Sequence, residues 1–248
     1  MEDGFRALVS SDWNQCLSPC GPFDPIVFHY PELAAEIGKV FRDYTGNRIR
    51  LSDALDVVAG LTGGMLSAGQ MDAYLDAAFE LYPAVLELAG WCRENRVALM
   101  INTTGFKGYF QRLFAKNLFP VPQALAANRV IDYRETDREP PFVFDLRETA
   151  DKGIFTAKVA RRLGLRPDKV VVIGDSGGDG PHFQWGAENG AELVAAFAKP
   201  SLIEFCRSRG IEIGHFIGKA PAASLAGAPA EGGDFMKLVP LLEEVLSR

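Results

Sequence analysis

The 248-residue sequence has few cysteines and histidines and no excess of basic residues, and each shortage excludes a class of protein. Four cysteines are too few for a disulfide scaffold in a chain of this length, so we expect reduced, mostly buried thiols. Three scattered histidines make no zinc site. The chain has 26 basic and 32 acidic residues, and the basic ones form no cluster with aromatic side chains, so nucleic acid is not an expected partner.

Long hydrophobic runs are also missing. Glycine, proline or charge interrupts every apolar run well below the length that spans a membrane, so we expect no membrane partner. The N-terminal sequence MEDGFR lacks the basic-then-apolar order of a signal peptide, and we expect a cytoplasmic protein. Hydrophobic residues still make up 48% of the chain, which is enough for one large domain with an insertion or for two unequal domains.

The clearest motif is VVVIGDSGGD, at residues 170–179. A short β-branched run that stops at Gly174 predicts a buried parallel strand. Its carboxyl end opens into a loop carrying Asp175 and Asp179, at the edge where open α/β sheets bind their ligands. The glycines let both carboxylates face one point, which suits a hard cation, whereas an ordinary acidic turn is the alternative. The spacing matches neither G-x-G-x-x-G nor Gly-Lys-Ser/Thr.

Polar residues follow two further predicted strands. Residues 5–11 lead into Asp12, and residues 97–102 lead into Thr103. Lys152 opens a predicted helix that delivers the chain to the 170–179 motif. Taken singly, the lysine could be a solvated helix-start residue and the threonine a hydroxyl that caps a turn. Because the carboxyl ends of parallel strands share one edge of a sheet, their order predicts a common site there.

Residues 31–82 read as helices without an intervening strand, which predicts a helical insertion. Its helices are predicted at 31–44, 51–61 and 67–82, and a linker at 17–24 precedes them. Ser67 and Gln70 have the spacing of a capping box, and Gly63 and Gly64 indicate a break between helices. The other predicted helices lie at 83–95, 108–116, 151–165, 200–209 and 235–247, and a further strand at 192–197. Residues 128–133 and 142–145 predict a peripheral hairpin, and residues 219–233 a surface loop.

The order Asp12, Thr103, Lys152 and then GDSGGD at 174–179 resembles the haloacid dehalogenase-like (HAD-like) hydrolase superfamily, whose members are mostly phosphatases. The resemblance covers nearly the whole chain. The helical insertion resembles the cap of the phosphoserine phosphatase-like branch, and the layout after Asp179 resembles the methylthio-ketopentenyl phosphate phosphatases. The implied fold is α/β, a Rossmann-like doubly wound parallel sheet formed by residues 1–20 and 83–248, with a small helical cap formed by residues 21–82.

The resemblance also implies a chemistry, that of a magnesium-dependent phosphatase of a small phosphorylated metabolite. Asp12 would form an aspartyl-phosphate, and Thr103 and Lys152 would donate to the phosphoryl oxygens. The implied Mg²⁺ ligands are Asp12, the backbone carbonyl of Asn14, Asp175, and Asp179 directly or through water.

The helical cap is expected to set specificity. The candidate substrate-binding residues are Thr104, Gly105, Lys107, Arg48 and Arg50. The two arginines could pair with an acidic group of the substrate, and ordinary surface charge is the alternative for them and for Lys107. The expected partner is a small phosphorylated molecule, and the chain is expected to be a monomer or a homodimer.

Position 14 departs from the family pattern. The family's phosphatases carry a second Asp two residues after the nucleophile, and it exchanges protons with the leaving group and with water, whereas this chain has Asn14, followed by the equally atypical Gln15 and Cys16. An amide cannot transfer a proton, so three outcomes are open. In order of preference they are a phosphatase whose leaving group needs little protonation or takes its proton from the cap, a dehalogenase or phosphonatase, and a phosphate-ligand-binding protein with impaired turnover.

Overall fold

A computed structural model describes residues 4–46, 48–62, 66–133, 138–219 and 233–248, and strands in these ranges form one seven-stranded sheet. The strands are β1 (Ala7–Ser11), β2 (Val97–Phe106), β3 (Ala124–Asn128), β4 (Phe142–Asp145), β5 (Val170–Gly174), β6 (Glu192–Ala196) and β7 (His215–Ile217). All neighbouring pairs are parallel, in the order β4-β3-β2-β1-β5-β6-β7. The chain builds one half of the sheet outward from β1 and then returns to build the other from β5, which confirms the predicted doubly wound α/β fold.

Helices connect the strands. They are α1 (Asp24–His29), α2 (Ala34–Thr45), α3 (Leu51–Thr62), α4 (Ala68–Ala78), α5 (Val85–Glu94), α6 (Lys107–Ala115), α7 (Asp151–Arg162), α8 (Gly180–Asn189), α9 (Pro200–Ser208) and α10 (Val239–Ser247). The predicted helices are confirmed, with ends that differ by a few residues. The predicted helix at 235–247 begins as a 3₁₀ turn, Phe235–Leu238, before α10. Among the described residues, no helix combines the length and the hydropathy that a membrane span needs.

β1 and β5 are the neighbouring central strands whose carboxyl ends carry candidate site residues. β1 and β5 are buried along their whole length, as expected for strands covered by helices on both faces. They pair in register from Leu8 with Val170 to Ser11 with Ile173. The residues that follow these strands therefore start from the same edge of the sheet, at the point where its strand order reverses.

The segment between β1 and β2 contains α1 to α5 and no strand within its described residues. Its capping box is present, because the Ser67 hydroxyl accepts from the Gln70 N–H at 3.2 Å and the Gln70 side chain accepts from the Ser67 N–H at 2.9 Å. The predicted linker at 17–24 runs into α1, a short helix with Pro25 in its first turn that the turn-rich sequence concealed. Gly63 and Gly64 lie outside the described residues.

The predicted hairpin over 128–133 and 142–145 is wrong. The first of the two strands lies earlier in the chain than predicted, at β3, and it pairs with β4 in parallel, with Ala124 opposite Phe142. Parallel neighbours need a crossover, so a tight turn cannot join them. Asn128 is the last residue of β3, and its buried amide donates to the carbonyls of Thr104, at 2.5 Å, and Gly105, at 2.9 Å. The alanine-rich sequence of β3 gave little sign of a strand.

β7 and the cysteines are two smaller features of the fold. The three-residue β7 was not predicted, because so short a run carries no periodic signal. The four cysteines are free thiols, three buried and one half-buried, which confirms that expectation. The predicted surface loop at 219–233 falls almost entirely on residues outside the described ranges.

Candidate active site

Three carboxylates meet at the carboxyl ends of β1 and β5. Asp12 follows β1, and its backbone N–H donates to the carbonyl of Ile173 at 2.9 Å, which ties the two strand ends together. Asp175 follows β5 directly, and Asp179 closes the 3₁₀ turn Gly177–Asp179. All three are buried, and one oxygen from each lies within 4.8 Å of one oxygen of the others. Strand pairing thus gathers residues that are far apart in the sequence.

The loop after β5 folds back on the carboxylate of Asp179. One oxygen of this group accepts from the backbone N–H groups of Asp175, at 3.0 Å, and Ser176, at 3.2 Å. The strand ends in a glycine for a steric reason, since a Cβ at Gly174 would lie 2.6 Å from the Cβ of Asp179. The glycine therefore lets the carboxylate pack against the strand end.

Lys152 lies between two of the carboxylates. It is the second residue of α7, and its buried Nζ lies 2.5 Å from Oδ1 of Asp179 and 3.3 Å from Oδ1 of Asp12. Burial alone would lower the pKa of Lys152, but the charges of Asp12 and Asp179 outweigh it and raise the pKa. Burial would likewise raise the pKa of Asp179, but Lys152 and the two backbone donors hold it below its ordinary value. The lysine is a permanent cation beside the proposed nucleophile.

Lys199 provides a second ammonium group in the cluster, which was not predicted from the sequence. Its Nζ lies 2.7 Å from Oδ2 of Asp175 and also donates to Oε1 of Gln15. The residue follows β6, so it lies at the same sheet edge as the carboxylates. The pairing of β6 with β5 was the missing information, because nothing in the local sequence distinguishes this lysine.

Burial raises the pKa of the Asp12 carboxyl to about 6, and the charge of Lys152 opposes the rise. Burial raises the pKa of Asp175 to about 7 in the same way, against the charge of Lys199. When all three carboxylates are ionised, they and the two lysines leave a net charge of -1 in this cluster, since -3 and +2 sum to -1. A cation held by these oxygens would favour the ionised form of both groups.

Asn14 and Thr103 form a hydrogen-bonded pair beside the cluster. The Thr103 hydroxyl donates to Oδ1 of Asn14 at 3.1 Å, and Nδ2 of Asn14 donates to the carbonyl of Cys20 at 3.2 Å. A Cβ at Gly105 would lie 2.8 Å from Oδ1 of Asn14, so the glycine makes room for the amide. Both ends of the Asn14 side chain therefore have partners.

Comparison with known proteins identifies this architecture. No model of a protein family matches the sequence, and no curated protein matches it. A phosphoserine phosphatase described as a phospho-aspartyl intermediate analogue matches with a TM-score of 0.70 and 16% identity, over 96% of this chain and 99% of its own. A substrate-bound phosphoserine phosphatase complex matches with a TM-score of 0.70 and 16% identity, over 97% of this chain and 100% of its own. A HAD family hydrolase from Salmonella enterica matches with a TM-score of 0.68 and 16% identity, over 97% of this chain and 73% of its own. This chain has the HAD-like fold.

Within the HAD-like fold, the other candidate substrate-binding residues have different surroundings. Thr104 and Gly105 continue β2 past Thr103. Lys107 is buried and its Nζ lies 3.1 Å from both Asp132 and Glu139. Arg48 and Arg50 are exposed and pair with Asp43 and Asp53, each at 2.7 Å. The structure thus places these three cations on carboxylates other than Asp12, Asp175 and Asp179.

Tyr44, in the helical segment between β1 and β2, lies close to the loop that follows β5. It lies in the last turn of α2 and is buried, and its hydroxyl would be 3.0 Å from a Cβ built at Gly178. Burial raises the pKa of Tyr44, while the charge of Lys152 and a hydrogen bond from Thr104 oppose the rise. The pattern of an amphipathic helix does not indicate which of its residues reaches a site, so Tyr44 could not be predicted from the sequence.

A buried polar network supports the first turn of α7, which carries Lys152. The Thr156 hydroxyl lies 2.8 Å from Oγ of Ser10, 3.0 Å from Nδ2 of Asn102 and 2.9 Å from Nε2 of His182. Asn102 also donates to the Lys152 carbonyl at 2.9 Å. His182, one of the three histidines, lies fully buried against Thr156.

The burial of His182 predicts a pH-dependent stability. Burial lowers the pKa of His182 from 6.5 to about 3, so the unfolded chain binds a proton between these values that the folded chain does not. Stability is then full above pH 6.5 and falls as the pH is lowered, by about 1.4 kcal/mol per pH unit. Between pH 7 and pH 5 we expect the native chain to lose about 2 kcal/mol more free energy of unfolding than His182→Gln, which retains a polar partner for Thr156 but does not titrate. Urea unfolding at the two pH values measures the difference, and equal losses would contradict it.

Proposed function

We propose that the protein is a magnesium-dependent phosphatase of a small phosphorylated metabolite, with Asp12 as its nucleophile. The observation that carries the proposal is the meeting of three buried carboxylates with Lys152, whose ammonium lies between Asp12 and Asp179. The fold supports it, because the similar structures include phosphoserine phosphatases, one of them described as a phospho-aspartyl intermediate analogue.

The residues present fit a magnesium ion. Carboxylate oxygens are its preferred protein ligands, and this buried cluster retains a net negative charge after its lysines are counted. Asp12, Asp175, Asp179 and the backbone carbonyl of Asn14 would hold the ion. When bound, the ion supplies positive charge that offsets the charge of the phosphoryl oxygens.

The chemistry proposed for the chain's own residues is a double displacement. A carboxylate oxygen of Asp12 attacks phosphorus, and the bond between phosphorus and the ester oxygen breaks, so that the leaving oxygen departs with the electron pair. Water then attacks the aspartyl-phosphate, which releases phosphate and restores Asp12. Lys152 and Thr103 stabilise the negative charge on the phosphoryl oxygens. Asn14 orients Thr103 but cannot protonate the leaving oxygen.

We further propose that residues 21–82 form a cap over a core made of residues 1–20 and 83–248. Contacts of α2 support this division, since Tyr44 reaches the loop of Gly178 and Phe41 lies beneath the Lys199 ammonium. Substrate selection is then assigned to Arg48, Arg50 and Lys107 with Thr104 and Gly105. The three cations would have to exchange their present carboxylate partners for the substrate.

A second candidate function is the binding of a phosphorylated ligand without rapid turnover. The observation that favours it is the double hydrogen bonding of Asn14, which fills the position of the family's proton-transferring acid with an amide. Such a protein would bind phosphate esters through the same cations and the same metal ligands. Turnover separates the two functions.

The test is phosphate release from an aryl phosphate by the full chain. We expect hydrolysis with Mg²⁺ and a loss of about 10²-fold or more when EDTA removes the ion, because the charge on the phosphoryl oxygens is then less well offset. Released phosphate is measured, and circular dichroism checks that the chain stays folded in EDTA. A folded chain that binds phosphate esters with Mg²⁺ but hydrolyses none would favour the binding function.

A further inference from the structure

The contacts of Lys199 differ from those expected of a surface lysine. Its ammonium forms an ion pair with Oδ2 of Asp175, at 2.7 Å, on a side chain that is only 1% exposed, and it donates a hydrogen bond to Gln15. It also lies 5.8 Å from the centre of the Phe41 ring on α2. Three separate parts of the chain thus surround one ammonium group.

The backbone fixes the same residue. The N–H of Lys199 donates to the backbone carbonyl of Asp175 at 2.7 Å, so the two residues are joined through both main chain and side chain. The ammonium engages one oxygen of Asp175, Oδ2, and leaves the other oxygen of the carboxylate without this contact. Lys152 makes the equivalent pairing with Oδ1 of Asp179, while Oδ2 of that residue accepts backbone N–H groups.

We infer that Lys199 is a positioning residue that orients the Asp175 carboxylate for a magnesium ion. The inference rests on the proposed function only in taking Asp175 as a ligand of that ion. A carboxylate that binds a metal through one oxygen needs a partner on the other to stay in place, and loss of such a partner typically lowers metal affinity by about 10- to 100-fold. Gln15 and the backbone bond hold Lys199 where it can be that partner.

The experiment measures Mg²⁺ binding by titration calorimetry on the full chain, without substrate. Lys199→Met is expected to raise the Kd for Mg²⁺ by about 10- to 100-fold. Lys199→Arg should restore most of the affinity, because a guanidinium can still donate to Oδ2 of Asp175. The matched control is Lys39→Met, which removes one positive charge from an exposed position on α2 and is expected to leave the Kd unchanged.

Unchanged or tighter Mg²⁺ binding by a folded Lys199→Met would overturn the inference, since tighter binding means that the ammonium competes with the ion. If this variant does not fold, Gln15→Met replaces it, with an expected rise of about 3-fold or more in Kd and no change as the opposing result. If Mg²⁺ binding depends on Lys199 but the chain releases no phosphate, the proposed function is wrong and this inference stands. Hydrolysis with Mg²⁺ binding that does not depend on Lys199 would sink this inference alone, and no Mg²⁺ binding by the native chain would sink both.

Discussion

Asp12→Asn is expected to lower the rate of phosphate-ester hydrolysis by about 10⁴-fold or more while the chain remains folded. The amide has nearly the shape of the carboxylate but is a poor nucleophile, so no aspartyl-phosphate forms. Stability should be kept or raised by about 1 kcal/mol, because the change removes one of three buried negative charges and Lys152 keeps its contact with Asp179.

The measurement has two parts. Steady-state phosphate release gives the rate, and mass spectrometry after an acid quench detects a phosphoryl group on the native chain that Asp12→Asn should lack. Asp168→Asn is the matched control, since Asp168 is a half-buried carboxylate paired with Arg166 just before β5, at the opposite end of that strand from Asp175. We expect it to change the rate by less than about 2-fold. Retention of hydrolysis by Asp12→Asn would exclude Asp12 as the nucleophile.

The second large effect expected is a dependence on the leaving group. With Asn14 in place of an acid, aryl and enol phosphates should be hydrolysed about 10²- to 10⁴-fold faster than alkyl phosphates, because an alkoxide needs a proton to leave and the others do not. A panel of esters with leaving groups of graded pKa measures this preference as kcat/KM. An equal or reversed preference would show that a proton donor other than residue 14 acts in the site.

Asn14→Asp should raise the hydrolysis of alkyl phosphates by up to about 10²-fold. The introduced carboxyl can still accept from Thr103, while the Cys20 carbonyl that now accepts from Nδ2 favours a protonated oxygen in its place. The group is thereby biased toward the form that donates a proton. Asn14→Ala is the matched control, because it removes the amide without adding an acid and should bring no gain. An equal gain in both variants would contradict the acid role.

The order of the site residues was predictable because each one adjoins a strand or helix with a strong signal. The β-branched run before Gly174 and the apolar run before Asp12 both predicted buried strands, and parallel strands end at one edge of the sheet. The closeness of Asp12, Asp175 and Asp179 follows from that rule together with the pairing of β1 with β5. Lys152 could be selected only as part of the set, since a lysine at the start of a helix has no meaning by itself.

The predicted hairpin failed because local turn chemistry cannot show which strands become neighbours. β3 is a small-residue strand without alternation, and its pairing with β4 depends on a crossover. Lys199 and Tyr44 were missed for a related reason. The first depends on β6 lying beside β5, and the second on α2 folding back toward the loop after β5.

By itself, the sequence determined the parallel α/β class, the helical insertion and the carboxylates at strand ends, because hydrophobic periodicity and breaks at glycine or acid are local properties of the chain. Only the tertiary structure decided which charges balance each other in the site. The ion pairs of Lys152 with Asp12 and Asp179, and of Lys199 with Asp175, join residues from separate elements. Burial and distance govern those charges, and both arise only when the strands and helices pack together.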